Sequence, residues 1–273
     1  MKKLAVIFIL SSLVCIVLFN QCKTKDLAVD LNPDAKPFDK LSDYNFFKGK
    51  INQLVPNDRV LPYDLITALF TDYAHKARFV WMPEGTSAQY SKEEALEFPV
   101  GAVLIKNFFY PIDFRDSTKG KKIIETRLLV KRKSGWDNLT YAWNDQQTEA
   151  TLNIIGDTKK VDFINLHGEN ISCNYSIPNK NQCKNCHNLN NVAEPIGPKI
   201  RYLNRDYFYA DGNKNQLQKW TELGYLKGYN AEENKDNKIY DAFNPASGTL
   251  EQRAKSYLEV NCAHCHRREG SAN

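Results

Sequence analysis

Ile123-Ile124-Glu125-Thr126-Arg127-Leu128-Leu129-Val130-Lys131 and Leu139-Thr140-Tyr141-Ala142-Trp143 lie on either side of Ser134-Gly135. Two runs rich in β-branched, aliphatic and aromatic residues, separated by a turn signal, predict a hairpin. The same reading extends outward. Upstream, Arg78-Phe79-Val80-Trp81 runs into the turn signal Pro83-Glu84-Gly85, and Val100 to Tyr110 stops at Pro111. Downstream, Thr148 to Ile155, Val161 to Leu166 and Ile171 to Ile177 continue the series. Turn residues at near-regular intervals predict an antiparallel β-sandwich or small barrel over residues 41–177. No helix-period stretch of comparable length interrupts it. Ile171, Cys173, Tyr175 and Ile177 alternate, so they share one strand face. Cys173 is then expected as a buried thiol acting as a small apolar residue.

The character of the chain changes after Pro178. Asn179 to Asn191 reads as loop, Leu217 to Leu223 as a short helix ending at Gly224, and Gly228 to Pro245 as irregular. Thr249 and Gln252 form a capping-box signal. Leu250, Ala254, Tyr257, Leu258 and Asn261 then fall on one helical face. The fold class expected is α+β: a β-rich amino-terminal domain followed by a mainly helical and loop region.

That second region carries Cys183-Lys184-Asn185-Cys186-His187 and Cys262-Ala263-His264-Cys265-His266. Cys-X-X-Cys-His is the attachment pattern for a c-type haem. Two sulfurs at this spacing reach the two vinyl groups of one porphyrin, and the adjoining histidine is forced beneath the iron. Cys183, Cys186, Cys262 and Cys265 are therefore the expected attachment residues, and His187 and His266 the proximal ligands. One or two haems are expected. A four-cysteine zinc site is the competing reading, and it leaves both adjacent histidines to coincidence. A disulfide at each pair is a third, although Cys-X-X-Cys bridges are strained and redox-active.

Lys2 and Lys3 precede an apolar run from Leu4 to Phe19, which at 16 residues is short for a spanning helix and fits a secretory segment. Cys22 follows. The layout resembles a bacterial lipoprotein signal, with residues 1–21 removed and Cys22 lipidated. An uncleaved anchor or a plain signal peptide are the alternatives. All three place the folded part outside the cytoplasm, in the periplasm or as an outer-membrane lipoprotein. Residues 22–40, with Pro33 and Pro37, read as a tether. Removing the first 21 of 273 residues leaves 252, enough for one or two domains. Loss of Lys2 and Lys3 takes the formal charge from +5 to +3, so nothing points to nucleic acid.

The chain resembles a family of bacterial di-haem c-type cytochromes with an amino-terminal β-rich domain. The matching stretches are Leu41 to Phe47, Leu61 to Leu65, Phe79 to Gly85, Glu125 to Leu129, Ile177 to Gln182 leading into the first motif, Pro195 to Lys199, and Tyr257 to Asn261 leading into the second. The resemblance implies residues 178–245 as a first haem region and 246–273 as the start of a second cytochrome c-like domain. It also implies further helices after the second motif. Only seven residues follow His266, so that domain is expected to be truncated and its haem poorly sheltered.

The distal ligands are open at this stage. Met82, His75 and His167 are the candidates, beside pentacoordinate iron. Met82 is also readable as a strand-end residue, and both histidines as surface or turn residues. His264, between the cysteines of its own motif, faces away from that haem's distal side and is expected in solvent. Pro195 or Pro198 is the expected source of a carbonyl for the proximal imidazole N–H. The function expected is covalent haem binding and electron transfer between redox partner proteins, such as a dehydrogenase and a respiratory acceptor. Two alternatives stand beside it. One is a haem enzyme or sensor with an open iron site. The other is a lipoprotein whose β domain docks a glycan or protein. No catalytic carboxylate pair or nucleophile constellation is recognisable, so whether the chain is an enzyme stays open.

Overall fold

The computed structural model describes residues 26–190, 192–270 and 272. The expected signal peptide (1–21) and Cys22 lie outside them. The strands in chain order are β1 (Leu61–Tyr63), β2 (His75–Trp81), β3 (Ala88–Gln89), β4 (Val103–Pro111), β5 (Lys121–Arg132), β6 (Gly135–Trp143), β7 (Ala150–Leu152), β8 (Asp157–Ile164) and β9 (Asn170–Ile177). After them come α1 (Lys180–Cys186), α2 (Ile200–Leu203), β10 (Asp206–Tyr209), β11 (Gly212–Asn215), α3 (Gln216–Glu222), β12 (Leu226–Lys227) and α4 (Leu250–Asn261). The class is α+β, with an antiparallel β-rich amino-terminal domain.

Its centre is a six-stranded sheet in the order β1-β2-β4-β5-β6-β7. The predicted hairpin is its core: β5 pairs with β6 from Glu125↔Ala142 to Arg132↔Gly135. Side chains alternate along each strand, so the sheet has two differently dressed faces. Val103, Ile105, Ile123, Leu128, Val130, Leu139, Tyr141 and Trp143 point to one of them. They are covered by Leu41, Tyr44, Phe46, Phe47, Leu54 and Val60. Residues 26–40, expected as a tether, lie along the sheet instead. Val29, Leu31 and Phe38 pack on this core, and Arg132 donates to the Pro33 and Ala35 carbonyls. The apolar spacing of those three residues was too sparse to outweigh the prolines in the sequence.

The opposite face is covered in two pieces. At one end Val80, Leu104 and Leu129 meet Ile200, Leu203, Leu217 and Trp220. At the other, the β8–β9 hairpin forms a second layer, with Val161, Phe163 and Ile177 against Tyr110 and Ile124. Cys173 follows the predicted alternation but is only half-buried. A parallel pair between β3 and β12 ties the carboxy-terminal region to the amino-terminal domain.

The Thr249–Gln252 capping box is present at the start of α4. Its buried face differs from the expected one: Ser256 and Val260 are buried, whereas Leu250 and Leu258 are exposed. Ser256 turns inward because its hydroxyl bonds the Tyr240 N–H and the Gln252 carbonyl. Among the described residues, no helix is long and apolar enough to cross a membrane.

Candidate haem cavity

Between the two covers, the sheet face is left open and floors a cavity of about 530 Å³. That is within the range of roughly 300–1,000 Å³ typical of sites for organic ligands. Leu104, Phe108 and Leu129 supply apolar floor, and Tyr257 and Val260 of α4 supply a wall. Cys183, Cys186 and His187 line it together.

The first motif, expected in a loop, is a short helix. Asn179 caps α1 by accepting from the Asn181 and Gln182 N–H groups, and Gln182 reciprocates as a capping box. The Asn179-X-X-Gln182 pattern was the available signal. One helical turn sets Cys183 and His187 on the same side, and the His187 N–H donates to the Cys183 carbonyl at 3.1 Å. Cys183 is buried, and burial pushes its thiol pKa up.

His187 Nδ1 lies 2.9 Å from the Glu194 carbonyl oxygen. A carbonyl only accepts, so Nδ1 carries the proton and Nε2 keeps its lone pair. Burial, and next the charge of Lys106, lower the imidazole pKa to about 4. His187 is therefore neutral at pH 7 with one nitrogen oriented by backbone, the state an imidazole ligand needs. The expectation of a Pro195 or Pro198 carbonyl is corrected: the acceptor is the carbonyl of Glu194, and both prolines line the cavity instead.

The floor has an unexpected charge pattern. Register aligns Tyr63, Arg78, Lys106, Arg127 and Thr140 across β1, β2, β4, β5 and β6. Lys76 shares the face, paired with Phe108 in the next row. Arg78 bonds Asp64 at 2.6 Å, and Arg127 Nε bonds Glu125 at 2.9 Å. Lys76 donates to the Leu69 carbonyl, and burial, then Arg78, lower its pKa to about 7. Lys106 stands over the Phe108 ring at 5.0 Å, and burial pushes its amine well below the usual lysine range. Four basic side chains thus face two carboxylates.

The second motif is brought against the first. Cys186, His264 and Cys265 hold their ligand atoms within 4.8 Å of one another. The Asn190 N–H donates to the Glu269 carbonyl at 3.0 Å, and Arg267 pairs with Glu94 at 2.7 Å. His264, expected in solvent, is half-buried, lines the cavity, and has a buried Nδ1 without a hydrogen-bond partner. Cys262, Cys265 and His266 do not line the cavity, and His266 is exposed.

The three distal candidates are not at the cavity. Met82 is fully buried in the core with Leu217 and Trp220. His75 packs on Phe109 and Phe114, and its pairing with Phe109 sets it on the opposite sheet face from Lys106. His167 is exposed in the β8–β9 turn. Lys106, Arg127 and Glu194 were missed in the sequence, since the first two need strand register and the third acts through its backbone. Comparison with family models, curated proteins and solved structures gave no match.

Proposed function

We propose that the chain is an exported c-type cytochrome that holds covalent haem at Cys183, Cys186 and His187 and acts in electron transfer. The observation that carries this reading is the state of His187. Its Nδ1–H is committed to the Glu194 carbonyl, and its ring faces an apolar cavity lined by both motif cysteines. A zinc or disulfide reading has no use for that imidazole or for the adjoining space. Haem supplies one-electron chemistry when bound.

The protein's part is to hold and insulate the group. Cys183 and Cys186 fix it to α1, and His187 ligates from a set orientation. Leu104, Phe108, Leu129 and Val260 exclude water, which raises the weight of every nearby charge. Haem propionates carry the sign opposite to the Arg78 and Arg127 guanidiniums of the floor. Redox partner proteins, a lipid anchor at Cys22 and a periplasmic or outer-membrane location belong to the same proposal. The second motif adds a second haem in this reading, held by Cys262, Cys265 and His266 at the surface. Replacing Cys183 and Cys186 by alanine is expected to abolish covalent haem at the first site. Undiminished haem staining on a denaturing gel contradicts the assignment.

A second reading has an observation of its own. Cys186, His264 and Cys265 are close enough to bind one soft divalent ion such as zinc, and the free His264 Nδ1 suits it. Cys186 cannot serve as thioether and thiolate at once, so the two readings exclude each other at that residue. Metal analysis beside haem content separates them.

A further inference from the structure

We propose that Lys106 of the β domain is the second axial ligand of the haem held by His187. This rests on the haem reading above and goes beyond it, because it gives the sheet a direct role at the iron.

The cavity has few side chains that can share a lone pair with iron from the side away from His187. Arg78 and Arg127 are excluded by chemistry, since a guanidinium keeps its protons and has no acceptor site. Both are also engaged, by Asp64 and Glu125. Lys76 is turned to the Leu69 carbonyl. His264 lies beside the sulfur of Cys186, at the edge where the porphyrin is attached rather than over its centre. Lys106 remains. It lines the same cavity as His187. Among the described residues it has neither a carboxylate nor a carbonyl partner, only the Phe108 ring face.

Its position in the sheet fits the role. The motif helix α1 packs on β6, with Cys183 near Thr140. Lys106 lies two strands away along the same register row, roughly 10 Å at the usual strand spacing. Arg78 lies one strand further. A macrocycle attached at Cys183 and lying across this row would bring Lys106 beneath it, on the side away from His187. A buried lysine readily serves as a neutral amine.

The test uses full-length protein matured with covalent haem, carrying Cys262→Ala and Cys265→Ala so that a single haem is read. Near-infrared magnetic circular dichroism and electron paramagnetic resonance of the ferric form are recorded first. The expected result is fully low-spin iron with a charge-transfer band of an imidazole–amine pair. Lys106→Leu and Lys106→Arg are then compared at equal covalent haem. Both are expected to convert the iron completely to high-spin and to bind carbon monoxide when reduced. An imidazole–imidazole or imidazole–thioether band overturns the proposal, as does high-spin iron before substitution. Retention of low spin in Lys106→Arg also overturns it and makes Lys106 a counter-charge only. If no covalent haem is found before Lys106 is changed, the haem reading itself fails, an outcome distinct from all of these.

Discussion

His187 shows how much a single backbone contact decides. The Glu194 carbonyl fixes which imidazole nitrogen is free, and burial keeps the ring neutral. Met82 is the contrasting case, a residue whose chemistry suggested a ligand and whose place is the core. Met82→Leu conserves volume, so it is expected to cost less than about 1.5 kcal/mol and to leave the haem spectrum unchanged. Loss of a thioether charge-transfer band would instead restore Met82 as a ligand. Glu94 gives a pH prediction. Arg267, and after it Lys199, hold its carboxyl pKa down to about 2 against burial. A depressed carboxylate stabilises the fold above its ordinary value of 4.5, and that contribution fades as pH falls towards 2. The difference in melting temperature between the parent chain and Glu94→Gln should therefore be constant at neutral pH and shrink below pH 4.5. A difference that does not change across that range counts against the ion pair.

At the scale of elements, the central hairpin is held by more than its apolar pattern. On the face turned to the amino-terminal segment, the Thr126 hydroxyl donates to Asn107 at 2.6 Å and accepts from the Trp143 indole at 2.9 Å. Thr126→Val leaves both partners unsatisfied in a dry core. The expected loss is about 1–3 kcal/mol for each orphaned group, partly offset by the strand preference of valine, read by denaturant unfolding. Gly156 couples the β8–β9 layer to α1. Its φ is +84°, and a Cβ there would meet the Ile177 carbonyl at 2.9 Å and the Asn179 nitrogen at 3.1 Å. Gly156→Ala is expected to cost about 1–2 kcal/mol from backbone conformation alone. It should also lower haem attachment at the first motif, because Asn179 is the α1 cap. Unchanged stability and haem content would show that this contact is not needed.

Across the whole molecule, the β domain and the motif-bearing region together line the cavity that holds Cys183, Cys186 and His187. That could not be read from the chain directly. Ile123 to Trp143 announced the hairpin because alternation and Ser134-Gly135 are local signals. The two Cys-X-X-Cys-His patterns are local signals too, and the haem they suggest is a proposal. The α1 helix was missed although Asn179 and Gln182 carried a capping signal, since seven residues give no helical period. The basic row of Arg78, Lys106 and Arg127 has no local signature. Strand pairing alone assembles it from residues up to 49 positions apart in the chain. The juxtaposition of Cys186 with His264 and Cys265 is likewise a product of folding.

In the proposed function these groups converge to hold covalent haem. A pyridine haemochrome assay on full-length protein, exported alongside a c-type maturation system, tests it most directly. At least one covalent haem per chain is expected, with the first-site share lost in the Cys183→Ala, Cys186→Ala variant. No covalent haem, with stoichiometric zinc in its place, would contradict it.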